Sequence, residues 1–245
     1  MADRSACTGI VLSAMPVGEY DKRLVLLTKE RGKISAFARG ARRANSPVMA
    51  AANPFAFGTF ELYEGRNSYT LGKVEIREYF RELAEDLTRA WYGFYYLEVA
   101  EYYSREGLDE TERLKLLYQT LRAVESGKFG AEFLRRVYEY KTFVINGEYP
   151  DLFSCRVCGS REDLCAFSMT MQGAVCRNCC GKTDARSMAG SVIYALQFIA
   201  STPPEKLFTF KLSEETEKEF LSFVETYRRR FHHHTFKSEE FLGLL

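Results

Sequence analysis

Histidine is scarce in this chain and confined to one place. The three histidines are consecutive, at positions 232–234, so a histidine base would have to come from this tripeptide. The sequence contains no His-Glu-x-x-His, Gly-x-Ser-x-Gly or Gly-x-Gly-x-x-Gly motif. Gly181-Lys182-Thr183 imitates the end of a phosphate-binding loop, but Cys176 occupies the position of its first glycine. We therefore expect a protein that is not an enzyme.

Long apolar runs are also missing. No stretch of about 18 uncharged apolar residues occurs, which argues against a membrane span. Asp3 and Arg4 precede a short apolar stretch that a glycine interrupts, which does not fit a signal peptide. We expect a cytoplasmic protein of 245 residues, long enough for one large or two to three small globular units.

Net charge is small, but it is unevenly distributed. A net charge of only +1 argues by itself against a nucleic-acid partner. Residues 1–43, however, contain nine Lys/Arg against four Asp/Glu, so the remaining 202 residues carry −4. This asymmetry is typical of one basic face on an otherwise acidic protein.

Five short runs separated by turn signals predict β-strands in the first 80 residues. In the last run, apolar residues alternate with Lys73, Glu75 and Arg77, as in a strand with one solvated face. We place the strands near residues 7–14, 22–29, 33–39, 54–63 and 69–78. Five such strands are typical of a small OB-fold barrel, and a five-stranded sandwich is the alternative.

From about residue 83 the apolar period becomes that of a helix. Leu87, Trp91, Phe94 and Leu97 recur at spacings of three and four, and similar stripes follow. The fold class is therefore α+β, with the barrel followed by a mainly helical domain. We predict domains over residues 1–80 and 81–245, with a metal-binding module at 150–184 inserted in the second.

Four of the seven cysteines form two Cys-x-x-Cys pairs. Cys155 and Cys158 are followed after 17 residues by Cys176 and Cys179, a spacing typical of zinc sites. Two such turns direct four sulfurs at one ion and close its shell, so we predict one structural zinc ion. A redox pair, a disulfide pair and plain buried cysteines are the alternatives, but a redox motif needs only one Cys-x-x-Cys.

The other cysteines and the histidines have simpler interpretations. Cys180 follows Cys179 directly and is an alternative fourth ligand, although only Cys179 preserves the two-residue spacing. Cys7 and Cys165 are predicted to be small buried hydrophobes. We interpret the histidines at 232–234 as a solvated helix end, with metal ligation as the alternative.

A cluster of cations with one aromatic ring occupies residues 22–43, opposed only by Glu30. In the predicted third strand, Lys33, Phe37 and Arg39 share the outer face, and alternate residues face the core. Such a face is typical of single-strand binding, with charges on phosphates and a ring beneath a base. A merely solvated face is the alternative. The residues that we predict to bind nucleic acid are Lys22, Arg23, Arg31, Lys33, Phe37, Arg39, Arg42 and Arg43.

Three rings of the predicted fourth strand share one parity. They are Phe55, Phe57 and Tyr63. We expect these rings to pack on the helical part, and stacking on bases is the alternative.

Several segments together match one known pattern. They are Thr8-Gly-Ile-Val-Leu12, Gly18-Glu-Tyr-Asp21, Arg23-Leu-Val-Leu-Leu-Thr28, Arg31-Gly-Lys-Ile34, Arg39-Gly-Ala-Arg-Arg43, the paired cysteines with Phe167 and Gly173, and Lys237-Ser-Glu-Glu-Phe-Leu242. Over nearly its whole length the chain resembles the RecO family of bacterial recombinational repair proteins.

The resemblance implies an OB-fold, a helical domain and an embedded zinc module. It also implies binding of single- and double-stranded DNA, annealing of complementary strands and, with RecR, loading of RecA onto single-stranded DNA covered by SSB. The implied partners are DNA, RecR, the acidic and hydrophobic C-terminal tail of SSB and, indirectly, RecA, at the bacterial nucleoid and not at a membrane. Some members lack the cysteines, so the resemblance gives zinc a role in folding.

Two other classes of function are compatible with the sequence. One is an RNA-binding protein that combines a zinc ribbon with an OB-fold, and a preference for RNA would indicate it. The other is an unrecognised enzyme, which any turnover would indicate. Annealing itself needs no bond-making chemistry, because neutralising the phosphates of two strands removes their mutual repulsion.

Overall fold

A computed structural model describes residues 4–66 and 68–243 of the chain. By packing, these residues form two compact units. The first runs as far as Lys128 and includes the described residues from Thr235 onward, and the second is Phe129–His234. The domain bounds at residues 80 and 81 follow sequence pattern and not packing, and they stay a prediction.

The first unit begins with five strands that close into a barrel. Their order is β1-β2-β3-β5-β4, and neighbouring strands are antiparallel except for the short parallel pairing of β3 with β5. This arrangement confirms the OB-like sheet and excludes the sandwich. The strands are β1 (Arg4–Val17), β2 (Asp21–Thr28), β3 (Gly32–Ala38), β4 (Phe57–Glu64) and β5 (Tyr69–Glu78).

Two strands differ from their predicted bounds by three residues. β1 is longer at both ends because its first half pairs with β4 and its second half with β2, with a register shift between Val11 and Ser13. β4 begins later than predicted because Phe55 adopts a left-handed backbone, with φ of 72°, which a strand does not accommodate. The chain becomes extended again only at Phe57.

Side chains of β3 alternate between the barrel core and the outside, as predicted. Ile34, Ala36 and Ala38 are buried, whereas Lys33 and Phe37 are only half-buried. Small alanines suit the interior of a narrow barrel, where side chains from opposite strands meet. Burial of Cys7 in the same core confirms that this thiol is a packing residue.

Two glycines let neighbouring strands approach closely. Gly9 of β1 lies opposite Gly58 of β4. A Cβ at Gly58 would be 2.2 Å from the carbonyl oxygen of Glu75, and one at Gly9 would be 2.4 Å from that of Leu27. No side chain fits at either distance, so both positions require glycine.

Three helices complete the first unit, after a 3-10 turn at Arg81–Glu85. They are α1 (Leu87–Tyr103), α2 (Thr111–Ser126) and α7 (Ser238–Leu242). The Asp86 carboxylate accepts a hydrogen bond from the backbone N–H of Arg89 and caps α1. Gly127 ends α2 with a φ of 61°.

The buried face of α1 coincides only in part with the apolar stripe that predicts this helix. Leu97 is buried, whereas Leu87 is 67% exposed and Phe94 is 43% exposed. The buried face instead includes Tyr95, Tyr96 and Val99. Aromatic residues are so frequent in this helix that the apolar spacing alone does not distinguish the two faces.

The second unit has three long helices and a small three-stranded sheet. Helices α3 (Ala131–Asn146), α5 (Gly190–Ser201) and α6 (Glu214–Phe231) pack together, with a 3-10 turn at Pro204–Thr209 before α6. Between α3 and α5 lie β6 (Leu164–Ser168), β7 (Gly173–Cys176), the short α4 (Arg177–Cys180) and β8 (Arg186–Ser187), with strand order β7-β6-β8. Among the described residues, no helix has the length and apolarity to span a bilayer.

Candidate metal centre and basic barrel surface

The four predicted metal ligands lie on two turns of the small sheet. We call residues 153–161 the first knuckle and residues 176–182 the second knuckle. In the first, the backbone N–H of Gly159 donates to the carbonyl of Cys155 at 2.8 Å, and Gly159 has a φ of 76°. This left-handed residue lets the chain turn sharply directly after Cys158. In the second knuckle, Cys176 ends β7 and Cys179 lies in α4.

Gly173 allows a close approach between β7 and the segment around the first knuckle. It lies in β7 and bridges to Asp151, which precedes the first knuckle. A Cβ at Gly173 would be 2.7 Å from the carbonyl oxygen of Asp151 and 2.4 Å from Cγ of Arg156. Glycine therefore lets the first knuckle lie against β7, which brings the two pairs of cysteines together.

The spacing of the four sulfurs fits a tetrahedral metal site. The Sγ atoms of Cys155, Cys158, Cys176 and Cys179 all lie within 4.8 Å of one another, and those of Cys158 and Cys176 are 3.7 Å apart. A tetrahedron with metal–sulfur bonds of about 2.3 Å has sulfur–sulfur edges of about 3.8 Å. The residues present therefore fit a metal ion that four thiolates coordinate, and they leave no open coordination position for a substrate.

The thiols of this cluster have unequal proton affinities. Burial acts to raise the pKa of Cys155, but the backbone N–H groups of Cys176, Cys158 and Val157 outweigh it and lower the pKa to about 6. Burial and the neighbouring thiols raise the pKa of Cys179 to about 12. Four thiolates at this distance repel one another, and a cation among them removes that repulsion.

The remaining cysteines of the second unit lie outside the cluster. The thiol of Cys180 donates to the carbonyl of Arg177 at 3.2 Å, and Cys179 is the fourth member of the cluster. Cys165 is half-buried, so its predicted role in packing is met only in part. The two-residue spacing was the signal that distinguished Cys179 from Cys180.

His232 is not part of a solvated helix end, and that interpretation is wrong for this residue. Its ring stacks on Phe143 with centroids 3.7 Å apart, and its Nδ1 is 3.7 Å from a Glu148 carboxylate oxygen. Burial lowers its pKa. The chain leaves α6 at this residue and turns back onto α3, which no periodic pattern predicts. His233 and His234 are exposed, as expected.

The outer face of the barrel carries part of the predicted basic set. Arg23 of β2 lies opposite Phe37 of β3, and the Arg23 guanidinium donates to the hydroxyl of Ser35 at 2.8 Å. Arg39 is exposed and follows directly after β3. Phe37 and Arg39 thus lie on the outer face, as the alternation of side chains along β3 predicts. We use the name basic barrel surface for Lys22, Arg23, Phe37, Arg39, Arg42 and Arg43.

The loop after β3 lies against the turn between β1 and β2. The backbone N–H of Arg42 donates to the carbonyl of Tyr20 at 2.9 Å, and its guanidinium donates to the carbonyl of Gly18 at 3.1 Å. The Arg43 guanidinium lies over the Tyr20 ring, 4.7 Å from the centroid. Tyr20 was missed by the sequence analysis, although its place in the turn before Lys22 and Arg23 was a usable signal.

Lys22 lies at the edge of the same surface. Its Nζ donates to the carbonyl of Ala52 at 3.0 Å and to the Asn53 side chain at 2.7 Å. Burial, together with the nearby charge of Arg42, lowers its pKa. Lys22 therefore adds positive potential close to the arginines but is held by neutral oxygen atoms.

Two carboxylates lie beside this surface, and they bond to neutral groups: Glu19 to the Tyr20 hydroxyl and Asp21 to the backbone N–H of Gly40. Within residues 4–66 and 68–243, none of its five cations forms an ion pair, and their acceptors are carbonyl, amide or hydroxyl oxygens. Most arginines of the helices, in contrast, face glutamates. A surface of uncompensated cations is suited to a polyanion.

Two of the eight predicted residues lie elsewhere on the barrel. Arg31 donates to the Glu64 carboxylate at 3.2 Å and to the Tyr69 hydroxyl at 3.1 Å. The Nζ of Lys33 donates to the carbonyl of Glu101 at the end of α1, and burial lowers its pKa. The two side chains are thus engaged within the first unit. Their role in binding stays a prediction.

Two of the three rings that precede or occupy β4 pack on helices, as expected. Phe55 contacts Phe94 of α1 with centroids 5.0 Å apart, and Phe57 contacts Tyr118 of α2 at 4.7 Å. Tyr63 does not, because it is exposed and its hydroxyl donates to Glu61 at 2.7 Å.

Comparison with known proteins covers almost the whole chain. A family model described as the N-terminal part of Recombination protein O matches residues 1–80, and one for the C-terminal part of Recombination protein O matches residues 84–240.

Curated relatives named DNA repair protein RecO are similar over most of their length. A protein of Thermoanaerobacter is 32% identical over 96% of each chain. One from Caldanaerobacter subterraneus is also 32% identical, over 95% of this chain and 94% of its own. One from Alkaliphilus metalliredigens is 37% identical over 71% of each chain.

Proposed function

The chain belongs to the RecO family of DNA repair proteins, and from this premise we propose that it is a recombination mediator without bond-making activity. It binds single- and double-stranded DNA and anneals complementary strands. With RecR, it helps to load RecA onto single-stranded DNA that SSB covers. Its site of action is the bacterial nucleoid.

The observation that carries this proposal is the uncompensated charge of the basic barrel surface. Arg39, Arg42 and Arg43 have no carboxylate partner in the part of the chain that the structure describes. Each phosphate that they neutralise releases a condensed counterion, which favours binding most at low salt. Two strands that share this neutralisation repel each other less, and base pairing can proceed.

Two rings support a preference for unpaired bases. Phe37 is half-buried on the outer face, and Tyr20 is 42% exposed beneath Arg43. A ring and a guanidinium are both flat surfaces on which bases stack, at about 1–3 kcal/mol per base. Bases in a duplex are already stacked, so these rings contribute mainly to single-strand binding.

We propose that the four-cysteine cluster holds one structural zinc ion. Cys155, Cys158, Cys176 and Cys179 fix the two knuckles to each other, so the ion adds to the small apolar core that Ala166 and Val175 form beside the cysteines. RecR and the acidic, hydrophobic C-terminal tail of SSB are the proposed protein partners.

The test is annealing of complementary oligonucleotides coated with SSB, followed by fluorescence, with and without this protein and without ATP. We expect acceleration that decreases as salt increases, together with RecA loading that depends on RecR. The same assay with RNA strands distinguishes an RNA-binding protein. An unchanged annealing rate at low salt would contradict the proposal.

A further inference from the structure

The two knuckles of the metal centre form a second basic surface. Within residues 153–161 and 176–182 there are four cations and no carboxylate, whereas Asp151, Glu162, Asp163 and Asp184 flank these segments. All four side chains belong to exposed residues. They are Arg156, Arg161, Arg177 and Lys182. The cations therefore lie on the two turns themselves, and the carboxylates lie at the ends of these turns.

The knuckles are contiguous in space, so their charges act together. Their cysteines meet in one cluster, and the backbone N–H of Arg177 donates to the carbonyl of Asp163 at 3.0 Å, two residues after Arg161. Arg156 has a carboxylate of Asp151 at 3.5 Å, which partly compensates it. Arg161, Arg177 and Lys182 have no ion-pair partner among the described residues.

Exposed apolar side chains accompany these cations. Phe153 is 43% exposed and Val157 is 48% exposed, both in the first knuckle. Tyr194 of α5 is 69% exposed and precedes Gln197 by one helical turn. The Gln197 amide donates to the carbonyl of Leu152 at 2.6 Å, which brings this face of α5 beside Phe153. Two solvated rings thus lie at one edge of the basic surface.

A role in stabilising the metal centre would explain the cations but not the exposed apolar side chains. A divalent ion with four thiolates carries a net charge of −2, which nearby arginines offset. That charge does not explain why Phe153, Val157 and Tyr194 are exposed to water. Cations together with solvated rings are, in contrast, the combination with which proteins bind single-stranded nucleic acid.

We propose that the two knuckles form a second single-strand-binding surface, with Arg161, Arg177 and Lys182 on phosphates and Phe153 and Tyr194 against bases. This inference rests on the proposed function, because annealing needs two strands on one protein. The basic barrel surface holds one strand, and the knuckles hold its complement. The metal centre then serves recognition as well as folding.

The experiment uses the full chain, a labelled oligothymidine strand and three variants that each remove two positive charges. R161Q/R177Q changes the knuckles, and R39Q/R42Q changes the barrel. K211Q/K218Q is the matched control, because Lys218 lies on α6 beside glutamates in a groove of the same unit. Strand affinity, strands bound per protein, annealing rate and metal content are measured for each.

We expect R161Q/R177Q to bind one strand where the unsubstituted protein binds two, and to anneal about tenfold more slowly. Its metal content should equal that of K211Q/K218Q. The charge-conserving variant R161K/R177K should restore annealing to within about threefold, since lysine still neutralises a phosphate. If R161Q/R177Q binds and anneals like the control while R39Q/R42Q does not, the knuckle surface is refuted and the proposed function stands. If the unsubstituted protein binds no strand, the proposed function itself fails.

A second measurement does not depend on the folding of a variant. A strand containing 4-thiothymidine is crosslinked by light to the unsubstituted protein, and the adducts are located by mass spectrometry. Adducts within 153–161 or 176–182 support the inference, and adducts restricted to the barrel overturn it. If R161Q/R177Q no longer bound RecR or an SSB tail peptide but still bound DNA as before, the inference would also be overturned, in favour of a protein-binding surface.

Discussion

The ammonium group of Lys33 donates a hydrogen bond to the carbonyl oxygen of Glu101, at 2.6 Å. This bond joins the start of β3 to the last turn of α1. The backbone N–H of Lys33 reinforces it by donating to the carbonyl of Arg105 at 3.0 Å. Lys33 was predicted to contact phosphate, and this geometry gives it a structural task within the first unit.

We expect Lys33→Met to affect stability more than DNA affinity. Loss of a charged hydrogen bond to a carbonyl costs about 1–3 kcal/mol, because the carbonyl of Glu101 is left without its donor. Urea unfolding measures this loss, and Lys29→Met, at an exposed position, is the control. Strand affinity should stay within about twofold. A tenfold loss of affinity without loss of stability would show that Lys33 contacts DNA after all.

Charge reversal at Arg39 and Arg42 tests the basic barrel surface directly. The double variant R39E/R42E should bind single strands at least about tenfold more weakly at moderate salt. Its log affinity should also vary less steeply with log salt, by about 0.7 for each phosphate that is no longer neutralised. K73E/R77E makes the same charge change on exposed residues of β5 and should retain affinity. An unchanged affinity of R39E/R42E would contradict the assignment of the basic barrel surface to DNA binding.

The sequence predicts local patterns here better than it predicts contacts between elements. Alternation in β3 identifies Ile34, Ala36 and Ala38 as core, and the spacing of the cysteines identifies the four that cluster. Both depend on short-range geometry, in which side chains two or three residues apart are directed by one strand or one turn.

The sequence does not predict partners that lie far along the chain. The ammonium group of Lys33 contacts α1, and the ring of His232 contacts Phe143. In α1 itself, the apolar stripe predicts the helix but not its buried face, because aromatic residues occupy so many positions, and Leu87 is exposed. No pattern within one segment carries that information, because the partner is chosen by tertiary packing.

Removal of the metal ligands should unfold the knuckles. Cys155→Ser and Cys176→Ser each remove one sulfur from a cluster in which all four lie within 4.8 Å. We expect the bound zinc to fall from about one ion per chain to near zero and the melting temperature to fall by about 10 °C. Metal content by mass spectrometry and thermal unfolding check this result.

Cys180→Ser is the control for this prediction. The thiol of Cys180 donates to the carbonyl of Arg177 and lies outside the cluster, so zinc content should not change. Retention of zinc by Cys179→Ser, with its loss in Cys180→Ser, would reverse the assignment of the fourth ligand.

Gly58→Ala should destabilise the barrel. The new methyl group would lie 2.2 Å from the carbonyl oxygen of Glu75 and 2.8 Å from the Cα of Ile76, both backbone atoms that cannot move away without breaking the β4–β5 pairing. We expect a loss of about 3 kcal/mol in the free energy of unfolding, at the upper end of the usual cost of overpacking. Gly190→Ala, where the methyl group would contact nothing within 4 Å, should be neutral. Equal stability of the two variants would contradict the described approach of β4 to β5.

His232 should make the second unit sensitive to acid. Burial lowers its pKa in the folded protein below the ordinary value of 6.5, although the carboxylate of Glu148 acts in the opposite direction. The unfolded chain therefore binds this proton more tightly. The contribution of neutral His232 to stability is complete above about pH 6.5 and is lost as pH falls through the folded pKa.

His232→Phe keeps a ring against Phe143 but cannot be protonated. Urea unfolding between about pH 5 and 7.5 should thus give a flatter dependence for this variant, whereas His233→Phe, at an exposed position, should behave like the unsubstituted chain. Protonation of the cysteine cluster is common to all three proteins, so identical slopes for His232→Phe and His233→Phe would show that the stacked imidazole does not titrate in this range.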